Sequence, residues 1–429
     1  MYTYATLNDL LTQVAGKLSD PDFVFWTRAE LTIYANDALK IWNSIARSFR
    51  DRGVFITDSG TQFYDLSTTL RNGASELIMG RTVTQAQLIT QMKYMLMEPN
   101  PTNQTSFTDQ FNLADLTSAI TLNTNEFLLE TGCAVSIPAD QIINAGSGRI
   151  TIADDTLIDI IRAQWQTPEG YIYILVREDD FTANNFTPTW KQSPGTPSRF
   201  SIFPSPLLTV QLLPPPADTG TLQLQVIASG SIPDDFTPYV LQGALAGLLS
   251  KSGPASDPAR ARYFDTRWAE GIMAGKQVAS VLQAYLNEQP INSGSLFNAD
   301  HFRPNWINEQ GTPNSLGILG QNLVAPYPAP SEPFSIMLDV VRNAPVLVND
   351  DDQVPLGREY YDLLINYIVH TATFKCGYAE FSFTMPLYEA FIRAAIDYNS
   401  RLTGQTLRFP FMVELDRQQT QREPLRISA

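Results

Sequence analysis

The stretch TRAELTIYANDALKIWNSIARSFR, residues 27–50, decides how the rest of the chain is read. Thr27 and Glu30 form a Ser/Thr-x-x-Glu capping pattern, and Trp26 and Leu31 are placed to staple the helix entry. Leu31, Tyr34, Ala35, Ala38, Leu39, Trp42, Ile45, Ala46 and Phe49 then recur at helical spacing, which predicts one amphipathic helix over 27–50. Arg47 and Arg50 fall in its last turn, where cations meet the negative end of the helix dipole, and Gly53 is placed to end it. At 1.5 Å per residue the rod is roughly 36 Å long. An unbroken apolar stripe of that length needs other helices to cover it.

Helices are found outward on both sides. Residues 7–18 carry Leu10, Leu11, Val14 and Leu18 on one face, and Asp20-Pro21 turns the chain, so residues 1–53 read as a helical hairpin. Residues 54–132 are mixed: short strands at 54–57 and 62–66 around Ser59-Gly60, a helix over 84–97, and a stronger one over 109–131 that stops at Gly132. Within 133–230 the period changes to two. Residues 208–212 and 221–226 alternate strictly, and 157–165 and 171–176 flank the turn Pro168-Glu169-Gly170. This predicts an antiparallel β-domain of about six strands, a sandwich or small barrel.

Residues 231–288 return to helical spacing. Thr237-Pro238 opens one helix, and Gly253-Pro254 closes it. Asp257-Pro258 opens a second, whose stripe runs from Ala261 through Trp268 to Leu286, roughly 43 Å. Gly271 and Gly275 inside it are read either as close-approach positions or as tolerated exceptions. From 289 to 355 all periodicity is lost among Pro290, Pro304, Pro313, Pro326, Pro328, Pro330, Pro333, Pro345 and Pro355, which predicts an extended arm. Residues 356–404 hold a last hairpin, with helices over 356–376 and 386–402. Residues 405–429 are an extended tail. The expected class is α+β: a helical bundle of αα-hairpins framing an inserted antiparallel β-domain, with long extended arms and a C-terminal tail. No fixed period relates the hairpins, so a solenoid is not expected.

Composition bounds the function. The chain has 429 residues, 44% hydrophobic and 17% charged, with a net charge of −15. That charge argues against a protein that grips nucleic acid through phosphates. Cys133 and Cys376, far apart, suggest a reducing compartment rather than a disulfide framework. The first residues lack the basic start and apolar run of a secretion signal, and no run is long enough to span a membrane.

Candidate chemistry is sparse. His370 and Cys376 are six residues apart on one helix and do not share a face, and His301 stands alone; neither a metal site nor a nucleophile pair is expected. Asp350-Asp351-Asp352 lacks the glycine and terminal Glu of a calcium loop and reads as a solvated turn. Gly146-Ser147-Gly148 reads as a hairpin turn rather than a phosphate loop. Asp179-Asp180 are adjacent and point apart, which disfavours paired-carboxylate catalysis. The run Pro326-Tyr327-Pro328-Ala329-Pro330 reads as a linker in preference to a polyproline ligand. No catalytic residue, cofactor or metal is expected, and the chain is not expected to be an enzyme.

Several stretches together resemble the head-to-tail connector (adaptor) proteins of tailed bacteriophages. These are WTRAELTIYANDALKIW at 26–42, YVLQGALAGLLSKSGPASDPARARYFDTRWAEG at 239–271, and NYIVHTATFKCGYAEF at 366–381 followed by Tyr398-Asn399-x-Arg401-Leu402. Trp190 and LLPPPADTG at 212–220 extend the likeness more weakly into the β-domain. The resemblance implies a structural virion protein of the neck, assembled in the host cytoplasm and free of membranes. It implies a homo-oligomeric ring, dodecameric in the family, that docks under the portal protein ring and meets other neck or tail proteins. DNA would pass its channel during ejection without sequence-specific binding, and about −180 over twelve copies at −15 each would discourage phosphates from sticking. The tail would bind the portal through Phe409, Phe411, Met412, Leu415, Arg417, Arg422, Leu425 and Ile427. Residues 405–429 carry four arginines against three acids, net +1, against −16 for the rest. The competing reading is a tail or neck module whose β-domain binds carbohydrate or a host receptor through Tyr171, Tyr173 and Trp190.

Overall fold

A computed structural model of the protein describes residues 5–70, 84–96, 111–186, 189, 191, 193–203, 207–230, 232–252, 256–277, 281–376 and 378–403. Helix α1 is Leu7–Lys17 and α2 is Arg28–Ala46. The Thr27 hydroxyl accepts from the Glu30 amide at 3.3 Å and caps α2. Glu30 does not reach back to the cap; its carboxylate takes the Tyr34 hydroxyl at 2.8 Å and Lys375 at 2.9 Å. The helix also ends four residues sooner than its stripe suggests. Arg47 turns left-handed (φ 51°), and the Asn43 side chain accepts from the Phe49 amide at 3.0 Å. These pull the chain off the axis into strand β1, Arg50–Ile56, so Gly53 lies in a strand rather than at a helix stop.

The remaining helices are α3 (Leu66–Thr69), α4 (Gln85–Leu96), α5 (Leu113–Thr131), α6 (Asp180–Phe186), α7 (Thr237–Ser250), α8 (Pro258–Gln277), α9 (Leu296–Phe302), α10 (Arg358–Thr373) and α11 (Tyr378–Thr403). The strands after β1 are β2 (Tyr64–Asp65), β3 (Gln141–Ile143), β4 (Arg149–Thr151), β5 (Leu157–Gln166), β6 (Ile172–Arg177), β7 (Arg199–Phe203), β8 (Thr209–Leu213) and β9 (Gly220–Ala228). They continue as β10 (Val281–Leu286), β11 (Gln289–Ser295), β12 (Gln310–Gly311), β13 (Ser315–Leu319), β14 (Leu323–Tyr327), β15 (Ala329–Pro330) and β16 (Ser335–Val341). The chain is α+β, and among the described residues no helix is long and apolar enough to cross a membrane.

Two seven-stranded sheets organise these strands. One runs β1-β16-β10-β11-β13-β14-β2, the other β3-β9-β5-β6-β7-β8-β4. Numbered by their own order along the chain, both read 1-7-3-4-5-6-2. In both, the only parallel pair among the described ladders is four with five, and one short helix (α9 or α6) lies between those two strands. In both, strands one and two are consecutive in sequence yet occupy opposite ends of the sheet. A flat sheet would hold those ends roughly 29 Å apart at about 4.8 Å per strand. The connections span only residues 57–63 and 144–148, so each sheet curls toward closure. The Phe55 and Tyr64 rings, from the two ends of the first sheet, lie 5.2 Å apart. Each sheet encloses its own apolar core, around Phe55, Leu316 and Leu338 in one and Trp165, Phe200 and Val226 in the other.

The helices repeat as well. TLNDLLTQVAGKL at 6–18 and TQAQLITQMKYML at 84–96 share Thr, Leu, Thr, Gln and Leu at matching positions. Thr6 and Thr84 both bond residue N3, Asp9 or Gln87, reciprocally. Trp26-Thr-Arg-Ala-Glu-Leu-Thr32 matches Phe111-Asn-Leu-Ala-Asp-Leu-Thr117, and each opens a helix of 19 residues. Those helices, α2 and α5, both close on a left-handed residue, Arg47 or Gly132. In each half the second helix packs on a closing hairpin, α10–α11 or α7–α8. The protein is therefore two units of one design. Unit 1 comprises residues 5–70 and 281–403. Unit 2, residues 84–277, is inserted between its second and third strands.

This overturns three expectations. The long helix projected to residue 286 stops at Gln277, and 281–286 is strand β10, joined to β11 by Asn287 and Glu288, both at positive φ. Residues 289–355 are not an arm; they build most of unit 1's sheet. Their prolines hide the strands because they fall where no donor is needed. Pro326, for example, lies past the two-residue ladder with β2. Pro386 sits inside α11 rather than at its start. The apolar face on both sides of it, with Phe381, Tyr388, Phe391 and Ile392 buried, outweighs the one internal bond a proline removes, about 3 kcal/mol.

The glycines of α8 are close-approach positions. A Cβ on Gly271 would meet the Tyr239 ring at 2.3 Å, and one on Gly275 the Thr131 methyl at 2.6 Å. Helices from both units share one apolar core around Trp42, whose ring packs on Tyr360, Phe391 and Tyr398 at 4.8–5.9 Å.

Candidate functional site: the seam between the two units

Asp37, Lys40, Ser44 and Arg47 recur three or four residues apart and put a polar stripe on the side of α2 away from Trp42. All four are buried, because unit 2 lies against them. Lys40 Nζ stands 3.0 Å from the Asp234 carboxylate and 3.2 Å from Thr237 Oγ1. Asn43 donates to Asp235 at 2.6 Å and to the Arg342 carbonyl at 2.8 Å, and the other Asp235 oxygen accepts from the Ala344 amide at 2.9 Å. Gln91 of α4 donates to Asp37. The Ser44 and Tyr239 hydroxyls bond at 3.1 Å, and Arg47 donates to the Gln277 carbonyl at 2.7 Å.

Three carboxylates thus face one ammonium in a dry place. Burial pushes Asp37 up to about 7; Lys40 opposes the shift and Asp234 adds to it. Burial also takes Asp235 to about 7, against the hydrogen bonds from Ala344 and Asn43. At neutral pH this cluster holds protons, which moderates its charge.

A second contact joins the two sheets. Arg162 of β5 grips Asp300 of α9 with two bonds, 2.6 and 3.0 Å, and turns its remaining donor to Gln164 and Gln225. Trp306 Nε1 donates to the same Asp300 at 2.9 Å. Asn322 accepts from the Val135 amide and donates to its carbonyl, and Asn308 does the same for Ile172, all at 2.8–2.9 Å. Val135 and Ile172 of unit 2 share an apolar cluster with Leu296, Trp306 and Leu319 of unit 1.

The third contact joins α8 to α10 and α11. The Tyr263 hydroxyl meets His370 Nε2 at 2.9 Å, and His370 Nδ1 meets Thr384 at 2.8 Å. Arg267 pairs with Glu270 at 2.9 Å and lies over the Tyr388 and Tyr263 rings at 4.0 and 5.1 Å, while Tyr388 donates to Glu270 at 2.7 Å. Burial, with Arg267 nearby, lowers His370 to about 3, so the imidazole is neutral at physiological pH and acts as a tie between helices.

The other candidates are distributed away from one another. His301 is exposed on α9, beside Phe302. Cys133 is buried, its thiol pushed up to about 11 by burial, and Cys376 is exposed in the turn after α10. Asp352 accepts from the Val348 and Asn349 amides at 2.7 Å and Asp350 pairs with Arg28, as a surface turn. Asp179 caps α6 through the Thr182 amide. Gly146-Ser147-Gly148 is not a hairpin turn, since β3 and β4 do not pair. Pro326 and Pro330 are strand residues rather than linker. Tyr171 and Tyr173 stand half exposed with rings 4.9 Å apart; Trp190 lies outside the described residues. So do all eight tail residues, Phe409, Phe411, Met412, Leu415, Arg417, Arg422, Leu425 and Ile427. Among the described residues no group of three metal-ligating side chains converges.

The seam itself was missed by sequence reading. Its signal was present in the paired motifs at 6–18 and 84–96, and at 26–32 and 111–117. No protein-family model and no curated protein matches the chain.

Proposed function

We propose that this chain is a structural virion adaptor: a ring below the portal that joins capsid to tail and leaves a channel for DNA. One observation carries the reading. The three stretches that resemble the connector family, far apart in sequence, meet in one buried helical core: Trp26 donates to the Ala372 carbonyl, and the Tyr263 hydroxyl bonds His370 Nε2. The resemblance therefore falls on residues that hold one helical body together, as expected for a shared scaffold. In this reading the helices of both units form the ring wall, and residues 405–429 reach the portal. The acidic charge suits a channel through which DNA slides.

The test is assembly on purified portal rings, followed by electron microscopy. A closed ring with a central hole wide enough for duplex DNA is expected. Deleting 405–429 is expected to abolish portal binding while leaving the folded body unchanged by circular dichroism. A chain that ignores portal rings, with or without its tail, overturns the proposal. The exposed Tyr171–Tyr173 pair favours the second reading, a carbohydrate-binding module; it gains ground only if Tyr171→Ala with Tyr173→Ala abolishes binding to host-surface glycans.

A further inference from the structure

The internal contact between the two units is not symmetric. Unit 1 offers α2, α9 and one face of α10–α11; unit 2 offers α4, the 234–239 turn, the face of β5 and α8. A contact that joins different faces of two like bodies leaves one of each unused, the head on one unit and its socket on the other. Both unused faces can be located by matching the units. Asp37 and Ser44 on α2 correspond to Leu122 and Leu129 on α5. The first two are buried in the seam; the last two are 66% and 47% exposed. Fourteen of the 19 residues of α2 are buried against five of the 19 of α5, although both helices are covered by their own closing hairpins. The short helix shows the same difference. Leu296 and Ala299 of α9 are buried in the seam, while Phe181 on α6 is 77% exposed. On the socket side, Gln91 of α4 is buried against Asp37, and its counterpart Gln13 of α1 is exposed.

We infer that a second copy of this chain covers these faces, with α5 and α6 of one copy seated on α1 and neighbouring surfaces of unit 1 in the next. The seam is the template, so the contact continues an interface already formed once inside each chain. The partner is specified by geometry: Leu122 replaces Asp37 and Gln13 replaces Gln91, an apolar-centred version of a polar contact. Repeated head to tail, it propagates in one direction and closes if its rotation divides the circle. The inference rests on the duplication and does not require the portal.

The test uses two full-length variants in a Cys376→Ser background, each with one exposed cysteine beside the buried Cys133: Leu122→Cys in one and Gln13→Cys in the other. Mixed and treated with a short bismaleimide, they are expected to give a band at twice the 47.8 kDa chain mass. Neither variant alone is expected to give it. A third variant, Leu122→Cys with Leu129→Asp, is expected to lose the band on mixing while keeping its circular dichroism. The inference is overturned if the mixed pair cross-links no more than Leu122→Cys mixed with an Asp155→Cys control. It is equally overturned if Leu122→Cys cross-links to itself, which would mean a symmetric contact.

Discussion

Helices α2 and α5 have the same length, matching caps, an aromatic residue at the same place (Trp42, Phe127) and the same left-handed end. One is buried almost all round and the other on a single side. The difference lies in what each carries on its second face. The α2 face is polar and charged, with Asp37, Lys40 and Ser44 enclosed and paired. The α5 face carries Leu122 and Leu129 in the open. A buried contact within one chain forms at a fixed local concentration and tolerates desolvated charge. A contact between chains must gain its stability from apolar area. On the inference of a second copy, the same helix serves two kinds of neighbour.

The comparison is broken most severely at Arg162. Asp300→Ala would leave that guanidinium buried without its carboxylate, which costs about 3–5 kcal/mol. Urea unfolding is expected to show the loss and to separate into two transitions as the units uncouple. A single transition at unchanged midpoint would mean that the sheets do not depend on this clamp.

The seam's acid cluster comes next. The unfolded Asp37 releases its proton near 3.8 and the folded one near 7; Asp235 behaves alike. Between those values the folded chain holds more protons, so stability falls as pH rises through the window and levels above 7. The slope is at most about 1.4 kcal/mol per pH unit for each proton. Asp37→Asn with Asp235→Asn is expected to flatten the curve relative to wild type between pH 4.5 and 7. Parallel curves for the two proteins would remove the cluster from the account.

Gly271→Ala probes unit 2's own packing. Its Cβ would press on Tyr239, whose hydroxyl bonds Ser44 across the seam. Overpacking of this kind costs about 1–3 kcal/mol. An unchanged melting temperature would show that Tyr239 moves aside freely.

How much of this was legible beforehand follows from the same elements. Helices with caps and stripes were readable at α1, α2, α4 and α5, because side-chain periodicity and capping are local. Their ends were less so: α2 stops where Asn43 captures the Phe49 amide, a contact that periodicity does not report. Strand β10 was read as the end of the α8 stripe, and β11 to β16 were hidden because proline was read as a breaker, while the ladders that accommodate it are long-range. The duplication was hidden by its nesting. Insertion of unit 2 inside unit 1 changes the offset between matching elements at every step and reverses its sign at the third strand, so no period survives. Of the candidate site, the stretches around Tyr263 and His370 were marked, but their meeting was not, since it joins two units.

The smallest effect decides how far the two units act as one. Thr27 and Asn112 are equivalent caps, each accepting from the N3 amide of its helix. Thr27→Ala and Asn112→Ala should each cost about 1 kcal/mol, since each leaves an amide of the first turn without its acceptor. The sizes are expected to match; the distribution is the informative part. If the seam makes the units one cooperative body, each substitution lowers the same transition by the same amount. If the units unfold separately, Thr27→Ala shifts only the transition that reports unit 1 and Asn112→Ala only that of unit 2. The buried ties from α2 and α9 to unit 2 favour the first outcome in calorimetry of the isolated chain. In the Asp300→Ala background the second outcome should replace it, because only the contacts along α2, the Asn308 and Asn322 bonds and the α8–α10–α11 contact then carry the coupling.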